Sequence, residues 1–157
     1  MLNTSYTPHL LEAGCDEAGR GCLAGPVYAA AVVMPKGYRC PKINDSKKLS
    51  AKDRDELRTI IQKDAIAYAV ASVSEREIDK INILNASFEA MHRAIAELTI
   101  APELLLIDGN RFNTYGGIDH ECVIKGDSLY TSIAAASILA KTYRDDHMRA
   151  LDHECPE

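Results

Sequence analysis

The chain has no Cys-x-x-Cys pair, no apolar run of membrane-spanning length and no surplus of basic residues, and each absence removes a class of protein. Its five cysteines, Cys15, Cys22, Cys40, Cys122 and Cys155, are odd in number and scattered, which argues for reduced thiols over a disulfide framework or structural zinc. Among the five histidines only His153 lies close to a cysteine, Cys155, and that pair reads as tail residues. No stretch approaches the roughly 18 apolar residues a membrane span needs, and Met1 to His9 lacks the basic flank and apolar core of a secretion signal. A cytoplasmic protein with no membrane partner is expected. The net charge of -5 excludes a generally basic nucleic-acid-binding surface, though not a nuclease whose acids hold divalent cations. With no repeat, low-complexity tract or linker, the 157 residues, 46% hydrophobic, fit a single domain over 1–157 with its own core.

What is present centres on residues 13 to 21, Ala-Gly-Cys-Asp-Glu-Ala-Gly-Arg-Gly. An apolar lead-in of Leu10, Leu11 and Ala13 suggests a strand feeding the acidic pair Asp16-Glu17. Gly19 and Gly21 then allow a positive φ or a close backbone approach to a ligand. Oxygen donors suited to a hard cation thus run into a cationic, NH-rich turn around Arg20 that suits phosphate or sugar. A bare Asp-Glu pair is also consistent with an ordinary strand end followed by a solvated turn.

Pro26 to Met34 reads as a buried strand, bracketed by Gly25-Pro26 and Pro35-Lys36-Gly37. A polar loop over 38–49 contains Asp45-Ser46-Lys47-Lys48, two ammonium groups and a hydroxyl just ahead of a helix start, a phosphate-contact arrangement or a solvated charge cluster. Ser50 with Asp53 opens a helix to about Gln62, and Ala65 to Val73 suggests a third strand. Ser74 and Glu77 repeat the capping pattern. From Ile78 to Leu98 apolar residues recur at helical steps, with a break near Asn82. Leu104 to Ile107 makes a short apolar strand ending at Asp108-Gly109-Asn110, where an α/β sheet opens its crevice. A strand at Glu121 to Ile124 follows, then Lys125-Gly126-Asp127-Ser128 and a closely packed helix from Ile133 to Ala140 that Asp127 is expected to cap.

Four acids, Asp16, Glu17, Asp108 and Asp127, therefore fall at equivalent ends of an α/β layout. Converging carboxylates repel unless divalent cations occupy them, and oxygen-only donors favour Mg²⁺ or Mn²⁺ over zinc. Two such ions are the usual apparatus for in-line phosphodiester hydrolysis. Consecutive residues on a regular strand face opposite sides, so Asp16 and Glu17 are expected to share a site only if the strand ends or bulges between them.

The chain resembles the type 2 ribonucleases H, specifically the bacterial ribonuclease HII family. The resemblance rests on Asp16-Glu17-Ala18-Gly19-Arg20-Gly21, Asn44-Asp45-Ser46-Lys47-Lys48-Leu49, Ile107-Asp108-Gly109-Asn110, Lys125-Gly126-Asp127 and Ser132 to Lys141, in the family's order and over nearly the whole chain. It implies an RNase H-like α/β fold with a mixed five-stranded sheet flanked by helices. It also implies action on RNA in RNA-DNA hybrids and at single ribonucleotides in duplex DNA, leaving 3'-hydroxyl and 5'-phosphate ends; a monomer is expected. Carried over by residue, the metal-binding acids are Asp16, Glu17, Asp108 and Asp127, which would hold a pair of Mg²⁺ or Mn²⁺ ions. Gly19, Arg20 and Gly21 form the loop that reads the ribose 2'-hydroxyl, the group that marks a ribonucleotide. Lys47, Lys48 and Lys125 are phosphate contacts by the same resemblance.

Family members continue past the position of Pro156 into a helical segment with a Gly-Tyr-containing motif, whose tyrosine packs on the sugar at the cleavage junction; no such motif follows here. Two other readings stay open at this level. One is another two-metal phosphohydrolase acting on a small substrate, and the other is a hybrid-binding fragment without full catalysis.

Overall fold

The computed structural model describes residues 2–20, 25–44 and 49–154. Five strands, β1 (Glu12–Ala18), β2 (Val27–Val33), β3 (Ala67–Val73), β4 (Leu104–Asp108) and β5 (Asp119–Val123), form one sheet in the order β3-β2-β1-β4-β5. The first three make an antiparallel meander, whereas β4 lies parallel to β1 and β5 parallel to β4. The helices are α1 (Pro41–Asn44), α2 (Ala51–Asp64), α3 (Glu75–Ile81), α4 (Ile83–Ala96) and α5 (Thr131–Glu154).

Side chains alternate across the pleat and so divide the core in two. Ala13, Cys15, Ala29, Ala31, Leu105 and Ile107 pack with Phe88, Met91 and Ile95 of α4 on one face. Ala30 and Val32 meet the small residues Ala134 to Ala136 of α5 and Leu57 and Ile61 of α2 on the other. The run of alanines in α5 lets that helix lie close to the sheet. At Gly14 the approach is so close that an added Cβ would stand 2.3 Å from the Ser132 carbonyl carbon.

Most expected elements are found, with three differences, at the first strand, the 38–49 segment and Asp127. The first strand starts at Glu12, leaving Leu10 exposed, because the Glu12 carboxylate is buried and accepts hydrogen bonds from the Tyr6 and Thr7 N–H groups at 2.9 and 2.5 Å. The segment 38–49 is not all loop, since Pro41 opens the short α1. The helical stretch over 78–98 is broken at Asn82 as expected, giving two helices, the first of which starts at Glu75 behind the Ser74 cap. Asn82, at φ 68°, ends α3 and accepts from the Asn85 N–H at 3.0 Å as N-cap of α4. Finally, Asp127 does not cap α5. It sits in a single 3-10 turn, Gly126–Ser128, and α5 begins at Thr131, whose N–H is taken by the Asn3 carbonyl at 3.0 Å. Among the described residues Cys15, Cys40 and Cys122 are free thiols, and no helix is long and apolar enough to cross a membrane.

Candidate active site

Sheet register brings the first two acids together. Cys15 pairs with Ile107 in the parallel β1–β4 ladder, so the next step along both strands sets Asp16 beside Asp108. Both lie on the α5 face by alternation: Asp16 follows Gly14, which touches Ser132, and Asp108 follows Leu104 and Leu106, which pack on Ile133. The chain then returns through β5 and the 3-10 turn so that the Asp127 N–H points at Asp108 Oδ1, 3.3 Å away. A Cβ at Gly126 would lie 2.6 Å from Ile133 Cδ1, so a larger residue there would have to displace the end of that side chain.

Glu17 is not brought onto the face that carries Asp16. The strand neither ends nor bulges after Asp16: the β2 ladder continues regularly through Glu17–Ala29 to Ala18–Tyr28. Glu17 therefore occupies the opposite pleat position, while its N–H donates to Asp16 Oδ1 at 2.8 Å and its charge acts on Asp16.

The electrostatics are those of uncompensated acids. Asp16 is 5% exposed. Burial, followed by the charges of Glu17 and Asp108, holds its carboxyl well above the usual range, against the pull of the Glu17 N–H. Asp108 is also raised, by burial and then by Asp127, and is partly relieved by the N–H groups of Asp127 and Gly126. Among the described residues, the charged groups that shift these two are all carboxylates. Burial of a carboxylate without a cation is strongly unfavourable, so the donor set fits a hard, oxygen-seeking divalent ion. Among the described residues no three His, Cys, Asp or Glu side chains already stand grouped to hold an ion. Side-chain rotation at the strand ends would have to close the shell.

Beside the acids lies a cleft of about 380 Å³ lined by Glu17, Ala18, Gly19, Ser137, Lys141, Arg144 and Asp145. Gly19 takes φ 102°, as its place after the strand requires, and Arg20 is exposed. Lys125 is exposed, in a left-handed conformation (φ 56°) immediately before the turn that carries Asp127. Gly21, Lys47 and Lys48 lie outside the described residues. Sequence reasoning misses Lys141 and Arg144 as cleft cations. Their signal is present, since Ser137, Lys141 and Arg144 recur at helical steps of four and three on the polar edge of an otherwise small and apolar helix.

A mixed five-stranded sheet with acids at the ends of its adjacent central parallel strands, covered by helices on both faces, defines the RNase H-like class. Ribonuclease H2 of Pyrococcus horikoshii OT3 matches it with a TM-score of 0.79 at 26% identity, over 93% of this chain and 77% of that one. A chain of the PCNA:RNase HII complex from Archaeoglobus fulgidus matches with a TM-score of 0.78 at 30% identity, over 94% and 78% respectively. The ribonuclease HII family model matches residues 13–156. A ribonuclease HII of Bacteroides thetaiotaomicron is 64% identical over 99% of this chain and 78% of its own length. The chain belongs to the ribonuclease HII family, and its activity is that of a ribonuclease H, an endonucleolytic hydrolase acting on RNA-DNA hybrids.

Proposed function

We propose that this enzyme cuts the RNA strand of hybrids, and duplex DNA on the 5' side of single ribonucleotides, leaving 3'-hydroxyl and 5'-phosphate ends, in a reaction dependent on Mg²⁺ or Mn²⁺. The observation that carries this reading is the side-by-side placement of buried Asp16 and Asp108, with no cation among the described groups that shift them. Asp16, Glu17, Asp108 and Asp127 would hold two ions. Bound there, divalent ions supply Lewis-acid activation of water and neutralise charge developing on the leaving oxygen.

The remaining work falls to the chain itself. The N–H groups of Asp127 and Gly126 favour the ionised form of Asp108 and orient its carboxylate. Gly19 to Gly21 present backbone to the ribose 2'-hydroxyl, which is the only chemical mark separating one ribonucleotide from its deoxy neighbours. Lys125, Lys47 and Lys48 contact phosphates and fix the register of the duplex without reading sequence.

Cleavage of matched duplexes containing zero, one or four ribonucleotides, with Mg²⁺, with Mn²⁺ and with EDTA, tests the reading. Cuts are expected in the second and third duplexes only, at the 5' side of the ribonucleotide, and none in EDTA. Hydrolysis of a small phosphate ester with indifference to all three duplexes would overturn it.

A further inference from the structure

The two ends of the segment between Gly19 and Pro26 are held by one side chain. Gly19 and Gly25 both have positive φ, 102° and 98°. The space a Cβ would need at each is filled by Arg144 of α5: 2.4 Å to Nε at Gly19 and 2.7 Å to Nη2 at Gly25. The Arg144 Nε–H also donates to the Pro26 carbonyl at 3.0 Å. The planar guanidinium thus lies between Gly19 and Gly25, and at both positions the positive φ and the room it takes disfavour a side chain. Met148, one helical turn further along α5, closes the Gly25 side, its Sδ lying 2.9 Å from where a Cβ would be.

This wedge has a reference point. The same helix packs against β1 at Gly14, two residues before Asp16, so α5 fixes the acid-bearing strand and the Gly19 and Gly25 backbone to one another. We propose that Arg144 is a positioning residue that sets the Gly19 backbone against the acid cluster, and so governs discrimination between ribose and deoxyribose at the cut site. The inference rests on the reading of Gly19 to Gly21 as the sugar-contacting loop. A planar fork with a directed Nε–H is what the geometry uses; a flexible ammonium would keep the charge and lose the wedge.

The test is the ratio of affinities for a duplex with one ribonucleotide and for the same duplex in all-DNA form, by fluorescence anisotropy in Ca²⁺, with the duplex checked intact by electrophoresis. Wild type, Arg144→Lys, Arg144→Ala and Gly19→Ala are compared, each first shown by circular dichroism to be folded at the assay temperature. The expected result is that the wild-type preference falls at least fivefold in both Arg144 variants and in Gly19→Ala, whereas affinity for the all-DNA duplex changes little in Arg144→Lys. Retention of the preference in either Arg144 variant, with loss in Gly19→Ala, would overturn the positioning role and leave the sugar reading standing. Rescue by lysine alone would identify a charge contact in place of a wedge. Equal affinity of wild type for both duplexes would remove the sugar reading itself.

Discussion

Two buried carboxylates four residues apart on β1 show what separates a satisfied acid from an uncompensated one. Glu12 and Asp16 are 6% and 5% exposed, so burial alone does not distinguish them. Glu12 is satisfied by two backbone N–H groups and by Lys36 Nζ at 3.6 Å. Asp16 receives one N–H and faces further acids. Removing charge at the two sites is therefore expected to act in opposite directions. Glu12→Gln weakens charge-assisted bonds and should destabilise the protein by about 1–2 kcal/mol in urea denaturation. Asp16→Asn should abolish cleavage yet stabilise the metal-free protein by roughly 1–3 kcal/mol, because it relieves repulsion in a buried site. The sign with pH follows: a carboxyl whose folded-state pKa is raised costs nothing in acid and becomes a penalty as pH rises through its titration. The metal-free wild type should thus lose stability relative to Asp16→Asn as pH is raised from the ordinary carboxylate range, and added Mg²⁺ should raise the melting temperature of wild type more than that of the variant. Equal responses of the two proteins would remove Asp16 from the cation site.

At the scale of elements, capping boxes and apolar periodicity locate α2, α3 and α4 well, since those signals are local and each residue involved sees its partner within a turn. Asn82 marks the break between α3 and α4 for the same reason. What local pattern cannot carry is the start of α5, which depends on Asn3 reaching across to bridge Tyr130 and occupy the Thr131 N–H. Asp127 reads as a helix cap in the sequence because its partner, Asp108, is brought to it only by the β4–β5 pairing. Likewise Glu17 can be assigned to the site by its neighbour but not by pleat geometry, and Arg144 shows its role only once Gly19 and Gly25 stand on either side of it.

Two element contacts yield predictions. Gly14→Ala would drive a methyl into the Ser132 backbone and push α5 off β1. A loss of about 3 kcal/mol in urea denaturation is expected, at the upper end of overpacking costs, together with reduced cleavage. On the other face, Arg93 of α4 pairs with Glu77 of α3 and donates to the Ser72 carbonyl at 2.8 Å, while the Ser74 N–H donates to Glu77 at 3.1 Å. The Arg93 bond, with the Ser74 N–H next, lowers the Glu77 carboxyl from 4.5 to about 2. A depressed carboxyl stabilises above its unfolded pKa, so this latch is intact at neutral pH and is lost as pH falls from 4.5 towards 2. Glu77→Gln should remove that part of the acid sensitivity, read as the pH dependence of melting; an unchanged profile would show that the latch carries none of it.

On the scale of the whole molecule, the sheet has a seam. The antiparallel meander β1-β2-β3 is built from one continuous early stretch of chain, whereas β4, β5 and α5 arrive from the other end and join it through the parallel β1–β4 pair. Asp16 and Glu17 lie on one side of that seam and Asp108 and Asp127 on the other. This division bears on the order of events in folding. Near-neighbour pairings close at small entropic cost, while the β1–β4 ladder must bring together segments about ninety residues apart. The meander should therefore form first and the two pairs of acids should be parted until the last docking step. Pulse-labelled hydrogen exchange during refolding would show amides of Ala30 and Ala69 protected before those of Ile107 and Cys122. In a chain still emerging from the ribosome, repulsion among the acids would then be deferred until α5 is available to hold the two halves together.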